Sequence, residues 1–115
     1  RVVSDAKRTV LARAAADAGP PPPRTAIPVG GPDVYAVLAL GIHLAHRAGR
    51  ISDHDALIGR HLARVLTGGD VPHRTTVSEQ HLLDLEREAF LKLTGERKTL
   101  ERIGYTLKTG KTLRN

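Results

Sequence analysis

The 115 residues include no cysteine, no methionine and no tryptophan, and the aromatic residues are two tyrosines and one phenylalanine. Without cysteine there can be no disulfide and no thiolate-ligated zinc, which accords with an intracellular protein. With so few aromatics the core must be built from Leu, Ile, Val and Ala. Burying a large aliphatic side chain is worth about 1.5–3 kcal/mol, against an ordering cost of about 1–2 kcal/mol per residue of backbone. Eleven glycines and seven prolines interrupt that core, so we expect a chain that leans on another surface. No run approaches the ~18 apolar residues of a membrane-spanning helix, and no signal-peptide pattern opens the chain. A soluble, cytoplasmic protein without a membrane partner is expected. The first residue is Arg1, not Met. A piece of a longer protein is the expectation, with a trimmed N-terminus as the other explanation.

What is present is helical periodicity. The stretch Thr75 to Leu93, TTVSEQHLLDLEREAFLKL, repeats Leu82, Leu85, Ala89 and Leu93 at steps of three and four. Leu83, Phe90 and Leu91 widen the stripe, the spacing that lines one side of an α-helix. Thr76 and Glu79 match the T-x-x-E capping box, and Gly95 is placed to stop the helix. The pattern predicts a central helix.

Four more helices are predicted around it. Ser4 to Ala18 is Ala-rich, with Ser4 as N-cap, Gly19 as stop and Val3, Ala6, Val10 and Ala14 as a narrow inward stripe. Pro20 to Pro23 forbid helix and favour the extended polyproline form, a stiff spacer or a ligand for a proline-binding module. Gly30-Gly31-Pro32-Asp33 opens the next helix, with Val34, Val37, Leu38, Gly41, Ile42, Leu44 and Ala45 as a broad apolar face and Gly49 at its end. Gly41 in mid-helix costs about 1 kcal/mol relative to Ala, so a close helix contact is expected there. Ser52 caps a helix whose stripe is Leu57, Ile58, Leu62, Val65 and Leu66, closed by Gly68-Gly69. A last helix over Lys98 to Lys108 places Leu100, Ile103, Gly104 and Leu107 at i, i+3, i+4, i+7 before Gly110. No stretch alternates with a two-residue period. The class is all-α, with an N-terminal helix over residues 1–19, a Pro/Gly-rich linker over 20–32 and a helical unit over 33–115.

The net charge is +6, but it is unevenly spread. Residues 1–50 hold seven Lys and Arg against three Asp and Glu, residues 51–93 five against seven, and residues 94–115 six against two. A basic total invites a nucleic-acid reading, yet the best-patterned segment is acidic, so nucleic acid is not expected.

No constellation of side chains points to a reaction centre. His43, His46, His54, His61, His73 and His81 lack the H-E-x-x-H spacing, and we expect no metal site, the histidines facing solvent or an interface. Ser52, His54 and Asp55 have the residue types of a triad, but neighbours on one helical turn point in different directions. Asp84, Glu86 and Glu88 diverge around their helix with Arg87 as a partner, whereas acid–base catalysis needs carboxylates converging on one cleft. Gly30-Gly31 and Gly68-Gly69-Asp70 match no phosphate-loop motif. The cations Lys98, Arg102, Lys108, Lys111 and Arg114 suit phosphate groups, or form a solvated basic end.

Several long stretches carry a resemblance: ISDHDALIGRHLARVLTGGD (residues 51–70), VSEQHLLDLEREAFLKLTGERKTLERI (77–103) and the closing LKTGKTLRN (107–115), with DAKRTVLA (5–12) and GIHLAHRAGRISDHD (41–55) in support. Together they resemble the C-terminal end of bacterial multidomain 3-hydroxyacyl-CoA dehydrogenases fused to an enoyl-CoA hydratase/isomerase, crotonase-like region. The resemblance implies a parent enzyme that oxidises 3-hydroxyacyl-CoA with NAD⁺ in fatty-acid β-oxidation, using a His–Glu pair and a glycine-rich dinucleotide loop. Neither motif is found in this sequence, so no catalytic or cofactor-binding residue carries over. The implied role is a non-catalytic helical tail whose partners are the rest of the parent enzyme or its subunits. Lys98, Lys108 and Lys111 are the candidate contacts to the phosphates of acyl-CoA. The competing expectation is a free-standing helical module that binds an acidic partner or nucleic acid.

Overall fold

The computed structural model describes residues 2–16 and 20–115, and the side chains of residues 2–13 and 20–115. The described helices are α1 (Val2–Ala16), α2 (Gly31–Arg47), α3 (Asp53–Leu66), α4 (Glu79–Thr94) and α5 (Arg97–Thr109). Two strands of two residues each, β1 (Ile27–Pro28) and β2 (Thr76–Val77), join them. The all-α class holds, and Gly49, Gly95 and Gly110 stand at the helix ends where the pattern put them. Gly110 takes a left-handed φ of 71°, a conformation that costs a glycine nothing. Gly19 lies outside the described residues.

The strands are the element that periodicity missed, because two residues are too few to display alternation. Ile27 pairs with Val77 and Pro28 with Thr76, antiparallel. The Val29 N–H extends the ladder to the Thr75 carbonyl at 3.2 Å. This pairing corrects the start of α4. Val77 is buried and continues the strand beyond Thr76, so the helix starts only at Glu79 and Thr76 lies two residues too early to cap it. Ser78 caps instead, its Oγ accepting from the His81 N–H at 3.0 Å. Glu79, freed from the expected capping box, fastens the linker. Its N–H donates to the Arg24 carbonyl at 2.8 Å and its Oε2 accepts from the Arg24 N–H at 3.3 Å.

Other starts shift as well. The helix α1 begins at Val2, so Ser4 lies inside it rather than at its cap, and Val3, Ala6 and Val10 of the expected inward stripe are exposed. Gly31 and Pro32 already belong to α2, and the Gly31 N–H donates to the Thr67 carbonyl at 3.1 Å. Ser52 caps α3 as expected, in a reciprocal box with Asp55.

The helices pack by faces that hydrophobic ranking alone does not select. On α3 the buried positions are His54, Ala56 and Ala63, while Leu62 and Leu66 of the predicted stripe are exposed. Ala56, Gly59 and Ala63 share one side at i, i+3, i+7, and a Cβ placed on Gly59 would lie 3.1 Å from Ile42 Cδ1 of α2. Small residues there let two backbones approach. On α2 it is Tyr35, Ala39, Ile42 and Ala45 that are half-buried, whereas Val34, Val37, Leu38 and Leu44 face outward. Gly41 has open space beside it, not the close contact expected.

The buried apolar set among the described residues is therefore short: Ala56, Ala63, Val77 and Leu85. The accessible surface is 8970 Å². A folded monomer of 12.4 kDa exposes about 6,100 Å², leaving an excess of about 2,800 Å². The radius of gyration, 19.7 Å, likewise exceeds the roughly 13 Å of a self-contained domain of this length.

Candidate functional site

An open apolar groove of about 720 Å³ lies between α3 and α4. Leu62, Val65 and Leu66 form one wall; Leu83, Ala89, Phe90 and Leu93 form the other, with Glu86 and Arg87 at the rim. The walls follow from the helical period: α4 carries a stripe wider than one neighbour can cover. Leu85 turns inward and is buried, while Leu83 and Phe90 are left facing out. Leu66 is 71% exposed and Phe90 61%. Large apolar groups exposed in one patch are the kind of surface that takes a protein partner, a ligand or a membrane.

At the opposite end of α3 is a polar clamp that sequence reasoning missed. The Arg102 guanidinium on α5 donates to Asp55 Oδ1 at 2.8 Å, to Ser52 Oγ at 3.3 Å and to the Asn115 carbonyl at 3.0 Å. The Asn115 side-chain amide in turn donates to the Lys98 carbonyl at 3.0 Å and to Glu101 at 3.2 Å. One cation thus ties the α3 capping box, α5 and the closing segment together. The Ser52 backbone N–H, then Arg102, hold the Asp55 carboxyl well below the usual carboxylate range, at about 2. The signal that could have located the clamp was the pairing of an acid-rich α3 start with a basic α5.

The residues singled out for chemistry are spent on structure. Ser52 and Asp55 cap α3. His54, expected in solvent or at an interface, is only 3% exposed and its Nε2 meets Thr99 Oγ1 at 2.8 Å. It is a staple between α3 and α5. His81 Nε2 donates to the Gly68 carbonyl at 2.8 Å. His46 bonds Asp53, whose carboxyl that bond keeps below its ordinary range. Glu88 is lowered in the same way by Lys92 and then Arg64. Among the described residues no three His, Asp or Glu gather as a metal-binding set, and no buried side-chain polar atom lacks a partner. Lys98 and Lys108 lie at opposite ends of α5, ten residues or about 15 Å apart along its axis, with Lys111 just beyond. None of the described helices is long and apolar enough to cross a membrane.

Over 95 residues, 83% of its length, the chain is 46% identical to the probable 3-hydroxyacyl-CoA dehydrogenase of Bacillus subtilis (strain 168). It spans about 12% of that protein. No family model matches the chain, and no solved structure matches it.

Proposed function

From this kinship with a segment of a 3-hydroxyacyl-CoA dehydrogenase, we propose that the chain is a non-catalytic helical part of such an enzyme. Its work is packing or assembly. The enzyme as a whole oxidises 3-hydroxyacyl-CoA to 3-oxoacyl-CoA with NAD⁺ in the cytoplasm, with a crotonase-like region fused to the dehydrogenase. This segment adds no group to that chemistry, since Ser52, His54 and Asp55 are each engaged in starting α3 or fastening α5. It adds surface.

The observation that carries the reading is the excess of about 2,800 Å² of exposed area over a free monomer of this mass, with large apolar side chains exposed on all five described helices. The chain on its own should melt over a broad range and bind a hydrophobic dye, because cooperative unfolding needs a core that its four buried apolar side chains do not supply. Inside the full-length enzyme the same residues should be protected from dye and protease. A sharp two-state melt of the monomeric chain, with no dye binding, would overturn the proposal.

A further inference from the structure

We propose that the outer face of α2 is covered in the assembled enzyme by a helix from the remainder of the same polypeptide, packed along α2 with its closest approach at Gly41. This rests on the reading of the chain as a packing segment of a larger enzyme, and it names the face that is covered and what covers it.

The sequence of α2 is that of an interior helix. From Val34 to Ala45 it runs twelve residues without a Lys, Arg, Asp or Glu. In the other described helices the longest such run is five, Ile103 to Leu107. A surface helix carries charged and polar residues on the side away from its core, and a helix that is apolar all round is buried. Yet this segment covers one side of α2 only. Tyr35, Ala39, Ile42 and Ala45 are half-buried, with Ile42 against Gly59 of α3. About half a turn round the helix, Val37, Leu40 and Leu44 are exposed, Val37 at 69%.

The exposed face has the form of a seat for a helix. Val34, Val37, Gly41 and Leu44 follow one another at steps of three, four and three, the spacing of the narrow seam along which two helices pack. Gly41 stands within that seam. Glycine weakens a helix interior relative to alanine, and no neighbour in this segment requires it, since a Cβ built there meets nothing within 4 Å. A second helix would require it. Packed helices lie about 8–10 Å apart according to the side chains at the contact, and a glycine at the contact permits the short end of that range.

Length and tether select the remainder of the polypeptide as the occupant. The chain spans about 12% of the dehydrogenase it matches, so most of such an enzyme lies outside it. A helix on the same polypeptide meets α2 at an effective concentration on the order of millimolar. Ion pairs give a separate partner its selectivity, and the seam has no charged residue with which to form one. A tethered partner needs none.

The test uses the full-length enzyme that carries this segment. In Gly41→Leu the new side chain is a better helix former than glycine and has open room within the segment, so α2 itself is not harmed. With a helix seated at Gly41 the side chain cannot fit, and amide exchange over residues 34–45 should quicken by roughly tenfold or more. With Leu40 replaced by photo-reactive p-benzoylphenylalanine, irradiation should link α2 to a helix outside this segment, in a product that keeps the mass of one polypeptide. Exchange unchanged or slowed in Gly41→Leu would overturn the inference, as would the lack of any link. A product of twice the mass would overturn it in favour of a second copy, and a link to α1 in favour of this segment's own first helix. If the inference fails but Leu66→Asp still exposes the enzyme to dye, the packing reading stands on the groove between α3 and α4. If Leu66→Asp leaves dye binding unchanged as well, both fall.

Discussion

Arg102 and Asp55 meet across 47 positions of the chain, guanidinium to carboxylate at 2.8 Å, and the contact decides where α5 lies. Arg102 also reaches Ser52 and Asn115, so a single planar fork holds three segments. A lysine has the charge but not the fork. Arg102→Lys should therefore release Asn115 and the end of α5 almost as fully as Arg102→Ala. Hydrogen exchange over residues 97–115 in the full-length enzyme is the measurement; protection unchanged in the lysine variant would show that charge alone suffices.

The clamp should weaken in acid with a defined sign. Asp55 titrates at about 2 in the folded chain, below the roughly 3.9 of a free aspartate. Its contribution is complete above that ordinary range and is lost as the pH falls from about 4 toward 2. Exchange protection of α5 should follow this fall in the wild type. In Asp55→Asn it should already be low at neutral pH and flat over the same interval. A wild-type profile with no loss between pH 4 and 2 would contradict the assignment.

The start of α4 offers a direct comparison of two hydroxyls. Removing the N-cap acceptor in Ser78→Ala should cost about 1 kcal/mol, seen as faster exchange in the first turn after Ser78. Thr76→Ala should leave that turn unchanged, since Thr76 lies in β2 and caps nothing. The opposite result would restore Thr76 and Glu79 as the capping pair.

Two glycines should respond with opposite signs. Gly41 lies in the middle of α2 with open space beside it, so Gly41→Ala should stabilise the segment by up to about 1 kcal/mol. Gly68 has a φ of +93°, and a Cβ there would approach Val29 Cγ2 to 2.7 Å; Gly68→Ala should open the β1–β2 junction. Limited proteolysis at residues 24–30 and 67–76 measures both. A destabilising Gly41→Ala in the assembled enzyme would place a partner against that face.

The cations of α5 test the contact to acyl-CoA. Reversing Lys98 and Lys108 to Glu should raise the KM for acyl-CoA in the full-length enzyme, if they reach the phosphates of its CoA moiety. A KM left unchanged would count against that contact.

The sequence by itself determined that the chain is a set of helices, where most of them stop, and that Ser52 starts α3. These are local matters, settled by residue period and by the backbone freedom of glycine within a few positions. Its likeness to a dehydrogenase segment was also legible in the sequence, over the 83% of its length that matches. Only the tertiary structure decided which face of each helix turns inward. Period marks an apolar stripe but not its neighbour, and the neighbour chose Ala56, Gly59 and Ala63 over Leu62 and Leu66 because small residues allow α2 to come close. The same holds for the pairing of Ile27 with Val77, which moved a helix cap from Thr76 to Ser78. It holds also for Arg102, whose partners lie 47, 50 and 13 positions away, distances that no local pattern records.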